Sequence, residues 1–100
     1  MSDDTYQGHP NYETWLVHAW LGNDEPLYLK ARQAIREACT EYDDERLRKL
    51  RLSESVKRLV EDELPTLPNG LGADLLRSAM DRVDWQHMAS DWVDEWEETV

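Results

Sequence analysis

The sequence predicts an all-α protein, a compact bundle of four to five helices that opens with an N-terminal helical hairpin. Three observations carry this. Apolar residues recur at helical spacing through most of the chain, and capping or breaking residues stand where each run begins or ends. No run shows the alternation of a half-buried strand, and Val, Ile and Thr are sparse. The length of 100 residues fits one domain, expected over 11–100 behind a flexible lead-in over 1–10 that holds Gly8 and Pro10.

Asn11 is suited to cap a first helix over Tyr12 to Leu21, with Glu13 favoured in its first turn by the helix dipole. Tyr12, Trp15, Leu16 and Ala19 share one face, and Gly22-Asn23 is the expected stop. Asp24 caps the second helix, with Pro26 tolerated in its first turn. Leu27, Tyr28, Ala31, Ala34, Ile35, Ala38 and Tyr42 hold the helical period over four turns. The short connection between these helices implies a helical hairpin.

Over 43–64, Leu47, Leu50, Val56, Leu59, Val60 and Leu64 suit one long helix, while Ser53 offers a cap for a fresh one. Pro65-Thr66-Leu67-Pro68-Asn69-Gly70 must be a loop. Leu71, Leu75, Leu76, Ala79, Met80 and Val83 mark the next helix. Asp84 then either caps a last helix or lies within a continuing one, and Trp85, Met88, Ala89, Trp92 and Trp96 form the apolar stripe beyond it. Five Trp and no Phe assign the filling of the core to tryptophan.

Charge sharpens the functional reading. Eleven Lys and Arg face 22 Asp and Glu, a formal net charge of -11, with a mean hydropathy of -0.81. Phosphate binding needs clustered Lys and Arg, so direct contact with nucleic acid or an anionic membrane is disfavoured. Residues 46–58 carry Arg46, Arg48, Lys49, Arg51, Lys57 and Arg58, but the remaining field repels DNA. Residues 61–100 hold eleven acids and two Arg. On the last helix Asp84, Asp91, Asp94, Glu95 and Glu98 cluster opposite the tryptophan stripe. Acids at a helix C-terminus oppose its dipole, so they are not placed there for helix stability. They form a row of carboxylates of the kind that occupies a basic nucleic-acid groove, unless the basic middle segment pairs with them inside the fold.

Nothing else points to chemistry. His9, His18 and His87 are scattered, with no metal-ligand spacing among them, and His18 falls on the polar side of its helix. Cys39 sits beside an apolar stripe as a buried, inert thiol. No glycine-rich phosphate loop and no nucleophile-base pattern is present. The expectation is therefore no catalytic residues, no metal and no cofactor. A lone cysteine, an acidic N-terminus without an apolar run and the lack of any span of about 20 apolar residues suit a protein of the cytoplasm.

Asn11-Tyr12-Glu13-Thr14-Trp15, followed by Trp20-Leu21-Gly22-Asn23-Asp24-Glu25, resembles a group of small proteins encoded by phages, plasmids and other mobile elements. These open with N-Y-E-T-W and continue to W-[LI]-x-N-[DE]-E. The resemblance spans residues 11–30 and implies a genomic context in a host cell; no activity or residue role comes with it.

Two functional expectations follow. The first is a non-enzymatic inhibitor of a host defence system, of antirestriction or anti-CRISPR type. Its carboxylates would occupy the basic nucleic-acid channel of a nuclease or CRISPR effector subunit. The second is a small interaction adaptor that uses Trp20, at the edge of the first helix's apolar face, as an exposed anchor. Oligomeric state is open.

Overall fold

The structure, a computed structural model, describes residues 6–99. Five helices account for nearly all of it: α1 (Tyr12–Asn23), α2 (Glu25–Glu41), α3 (Glu45–Glu63), α4 (Leu71–Arg82) and α5 (Trp85–Thr99). The α1–α2 hairpin and the α3–α5 pair pack around a core of Leu21, Ile35, Ala38, Cys39, Leu52, Val56, Ala89 and Val93.

The caps are where short-range chemistry puts them. The Thr14 N–H donates to Asn11 Oδ1 at 2.9 Å, the Leu27 N–H to Asp24 Oδ2 at 3.2 Å and the His87 N–H to Asp84 Oδ1 at 2.9 Å. Asp84 therefore starts a separate last helix. The Gly22-Asn23 stop is a correction, because α1 runs through both residues. Asn23 Nδ2 donates to the Ala19 carbonyl and the Asp24 N–H to the Trp20 carbonyl. Asp24 closes α1 and caps α2 at once, so the hairpin turns on one extended residue and needs no left-handed glycine.

α3 is a single helix. Ser53 lies buried inside it and donates to the Leu50 carbonyl at 2.7 Å. Leu47 and Leu50 are exposed, and Leu52 and Val56 take the core positions, because the buried stripe of α3 is the one turned to α2 and α5. The face expected for α1 also shifts: Tyr12 is exposed, and Thr14 and Leu21 are the buried residues. Met88, Ala89 and Val93 form the buried stripe of α5. None of the tryptophans is fully buried. Trp85, Trp92 and Trp96 ring the aliphatic core and do not fill it, since small and branched side chains let the helices approach more closely.

Of the expected lead-in, residues 1–5 lie outside the described residues. Residues 6–10 turn back on α1. Tyr6 and His9 exchange both backbone hydrogen bonds, at 2.7 and 2.8 Å, across Gln7 and Gly8, which both hold positive φ. That is the geometry of a primed two-residue turn. Tyr6 then packs its ring 5.2 Å from Tyr12 and 5.0 Å from Trp15.

Candidate functional site

α5 carries the acids, and the fold divides them into two rows. Asp94 and Glu97 face α3. Asp94 Oδ1 lies 3.2 Å from Lys49 Nζ and Glu97 Oε2 lies 3.1 Å from an Arg48 guanidinium nitrogen. Lys49 also holds Glu45 at 2.8 Å, and that bond, with Asp94 beside it, raises the Lys49 pKa. Arg48 is fixed from behind, its Nε–H donating to the Tyr42 carbonyl at 2.6 Å. The basic middle segment thus neutralises one side of the last helix, and Asp94 leaves the free acidic set.

Asp84, Asp91, Glu95 and Glu98 follow one another at seven, four and three residues along the other row. At 1.5 Å per residue they extend over about 21 Å. Among the described residues none of the four has a Lys or Arg nitrogen within 4.0 Å. Asp84 is committed to capping, while Asp91, Glu95 and Glu98 are exposed. Glu95 shares a shallow recess with Arg32 of α2.

The histidines are not scattered in the fold. His9 from the N-terminal turn lies with its ring centroid 4.6 Å from His18 of α1 and 5.4 Å from His87 of α5. His18 is not on a free polar face. It is half-buried and stacked on Trp92 at 5.7 Å, because α5 covers that side of α1. His9 Nδ1 and His87 Nε2 are shielded from solvent without a hydrogen-bond partner. Asp91 Oδ2 stands 3.5 Å from His87 Nε2, an ion pair if His87 is charged and too long for a good hydrogen bond. Desolvation, then repulsion from His18 and His87, lowers the His9 pKa, with Asp91 opposing. Desolvation also lowers that of His18, while Asp91 and Glu95 pull it up and His87 pushes it down. Sequence spacing carries no sign of this cluster, since its members stand 9 and 69 residues apart.

A second ligand-like group is wholly acidic. Glu45, Asp94 and Glu97 bring carboxylate oxygens within 4.8 Å of one another, but Lys49 and Arg48 already occupy them. Cys39 is buried in the core and its thiol is pushed up by desolvation, which keeps it protonated and unreactive.

Comparison with known proteins adds one result. The sequence model of a family of unknown function, DUF7249, matches residues 2–98. The chain belongs to that family. No curated protein and no solved structure matches it. This DUF7249 member also has, among its described residues, no helix long and apolar enough to cross a membrane.

The remaining predicted site residue of the DUF7249 chain, Trp20, is 59% exposed. It stands over an apolar groove between α1, α2 and α3, lined by Leu16, Val17, Leu21, Leu27, Val60 and Leu64 and edged by Asp24 and Glu63. Trp20 is well separated in sequence from the acids of α5.

Proposed function

We propose that the protein is a non-enzymatic inhibitor that binds a basic, nucleic-acid-handling surface of another protein through the free carboxylates of α5. The observation that supports this reading is the second row of acids. With Asp94 and Glu97 paired to α3, Asp91, Glu95 and Glu98 still project from one helix side without a Lys or Arg partner among the described residues, in a chain of net charge -11. Such a row offers Arg and Lys of a partner charge-assisted hydrogen bonds at a spacing of about 4–6 Å along the helix. The resemblance of residues 11–30 to proteins of phages and other mobile elements supplies the context, with a restriction nuclease or CRISPR effector in the host cytoplasm as the class of target.

The test is capture of a partner from bacterial lysate on the immobilised chain, eluted first with duplex DNA and then with salt. The expected partner is released by DNA and fails to bind Asp91→Asn/Glu95→Gln/Glu98→Gln. That variant leaves the Asp84 cap and the core untouched. A partner that resists DNA and salt and still binds the triple variant overturns the reading.

One observation favours a second reading. Trp20 is the most exposed of the tryptophans with an apolar groove at its foot, an arrangement suited to an adaptor with an aromatic anchor. In that case Trp20→Ala abolishes capture and the triple charge variant does not.

A further inference from the structure

We infer that His9, His18 and His87, with Asp91 as the fourth ligand, form a binding site for one divalent transition-metal ion of the zinc type. The inference shares Asp91 with the partner reading above but rests on the histidines, which that reading does not use. The N-terminal turn and the adjoining α1, together with the sequence-distant α5, deliver three imidazoles to one place. Zinc-bound imidazole nitrogens lie about 2.0–2.1 Å from the metal, which puts the ring centroids of two tetrahedral ligands about 5 Å apart. The spacings from His9 to His18 and from His9 to His87, 4.6 and 5.4 Å, bracket that distance.

Two ring nitrogens in the cluster, His9 Nδ1 and His87 Nε2, are shielded from solvent and lack a hydrogen-bond partner. Buried polar atoms are rarely left so, and a bound ion supplies the kind of partner they lack. Asp91 Oδ2, 3.5 Å from His87 Nε2, supplies a carboxylate on the same side and one turn along α5. The four groups together make an N3O donor set that suits zinc, and neutral imidazole is the ligand form.

The ring nitrogens are not yet within 4.8 Å of one another as a set, as the oxygens of Glu45, Asp94 and Glu97 are. Imidazole χ2 is a broad, soft torsion, and ring rotation is the movement that turns the nitrogens inward. The acidic trio is the weaker competitor, because a cation there must displace Lys49 and Arg48.

The experiment uses the full chain without a histidine tag, stripped with chelator and titrated with Zn2+ by calorimetry and with Co2+ by visible absorption. One ion per chain is expected, with the intense absorption bands of tetrahedral cobalt and a rise in Tm on adding Zn2+. His9→Ala lies outside every helix, so the fold tolerates it, and it should weaken binding by at least about 10–100-fold, the loss that even outer-shell changes produce. His87→Ala should do the same, and Asp94→Asn should leave binding unchanged. Absence of one-to-one binding at micromolar Zn2+, or binding that survives His9→Ala and His87→Ala and falls with Asp94→Asn, overturns the site. Partner capture by His9→Ala separates the two proposals, since that variant keeps all the acids of α5.

Discussion

α1 and α4 are each twelve residues long, and their sequences and their places in the fold are opposed. α4 has the cleanest apolar stripe of the five helices and buries no residue. Leu71 and Leu75 are 76% and 61% exposed. α1 has no net apolar face, yet Thr14 and Leu21 are buried and the helix packs against α2, α4 and α5. A helix that is apolar on most sides shows no amphipathic preference, and α1 meets neighbours on more than one side. A helix with a strong stripe needs a partner for that stripe, and α4 packs mainly on α1. Amphipathicity therefore reports how one-sided a helix is, and burial depends on how many neighbours reach it.

The link between the two helices is polar. Asn11 Nδ2 donates to the Arg82 carbonyl at 2.7 Å, and Arg82 Nε–H donates to Glu13 at 3.1 Å. The backbone N–H of Glu13, then Arg82, holds the Glu13 carboxyl below its ordinary pKa. Thr14 Oγ1 accepts the Asp84 N–H at 2.9 Å, which ties the entry of α5 to the first turn of α1.

The contrast predicts a large difference between two equivalent truncations. Leu21→Ala in α1 should cost about 2–5 kcal/mol, as for fully buried leucines, whereas Leu75→Ala in α4 should stay within about 0.5 kcal/mol. Urea unfolding of the two variants measures both, and similar losses would break the comparison. Next in size is Thr14→Val, which keeps the shape of a buried side chain and leaves the Asp84 N–H unpaired. The expected loss is about 1–3 kcal/mol, read in the same assay.

The smallest effect concerns pH and falls on α1 and the turn before it, not on α4. In the metal-free chain the folded pKa values of His9 and His18 lie below their unfolded values. The unfolded state then binds more protons, so stability is full above the ordinary histidine pKa of about 6.5 and declines as pH falls through it. His87, Asp91 and Glu95 face these rings, the acids softening the effect. His18→Gln should flatten the profile between about pH 7 and 5, while Leu75→Ala should leave it unchanged. An unaltered slope in His18→Gln would remove His18 as its source.

Much of the fold is legible in residues close together in sequence. Asn11, Asp24 and Asp84 cap because each side chain reaches a backbone N–H three residues on. The loop over 65–70 follows from two prolines and Asn-Gly. The continuity of α3 was open because Ser53 serves equally as a cap or as a buried residue bonding back to its own helix. Of the α5 acids, all five sequence candidates sit on or beside that helix, but Asp94 is spent on Lys49. Glu97, not singled out from the sequence, belongs with it, and its partner Arg48 is 49 residues away.

Residue type and local spacing are enough for the helical class with these caps, a loop before α4, an excess of eleven negative charges and the lack of a membrane-length apolar run. It takes the packing of the helices to bring Arg48 and Lys49 onto one side of α5, to make His9, His18 and His87 meet, and to leave two leucines of α4 in solvent. The reason is range. Capping and turn formation act over three or four residues, where residue type is enough, whereas contacts across tens of residues depend on how whole helices are oriented, and helical periodicity does not encode that orientation.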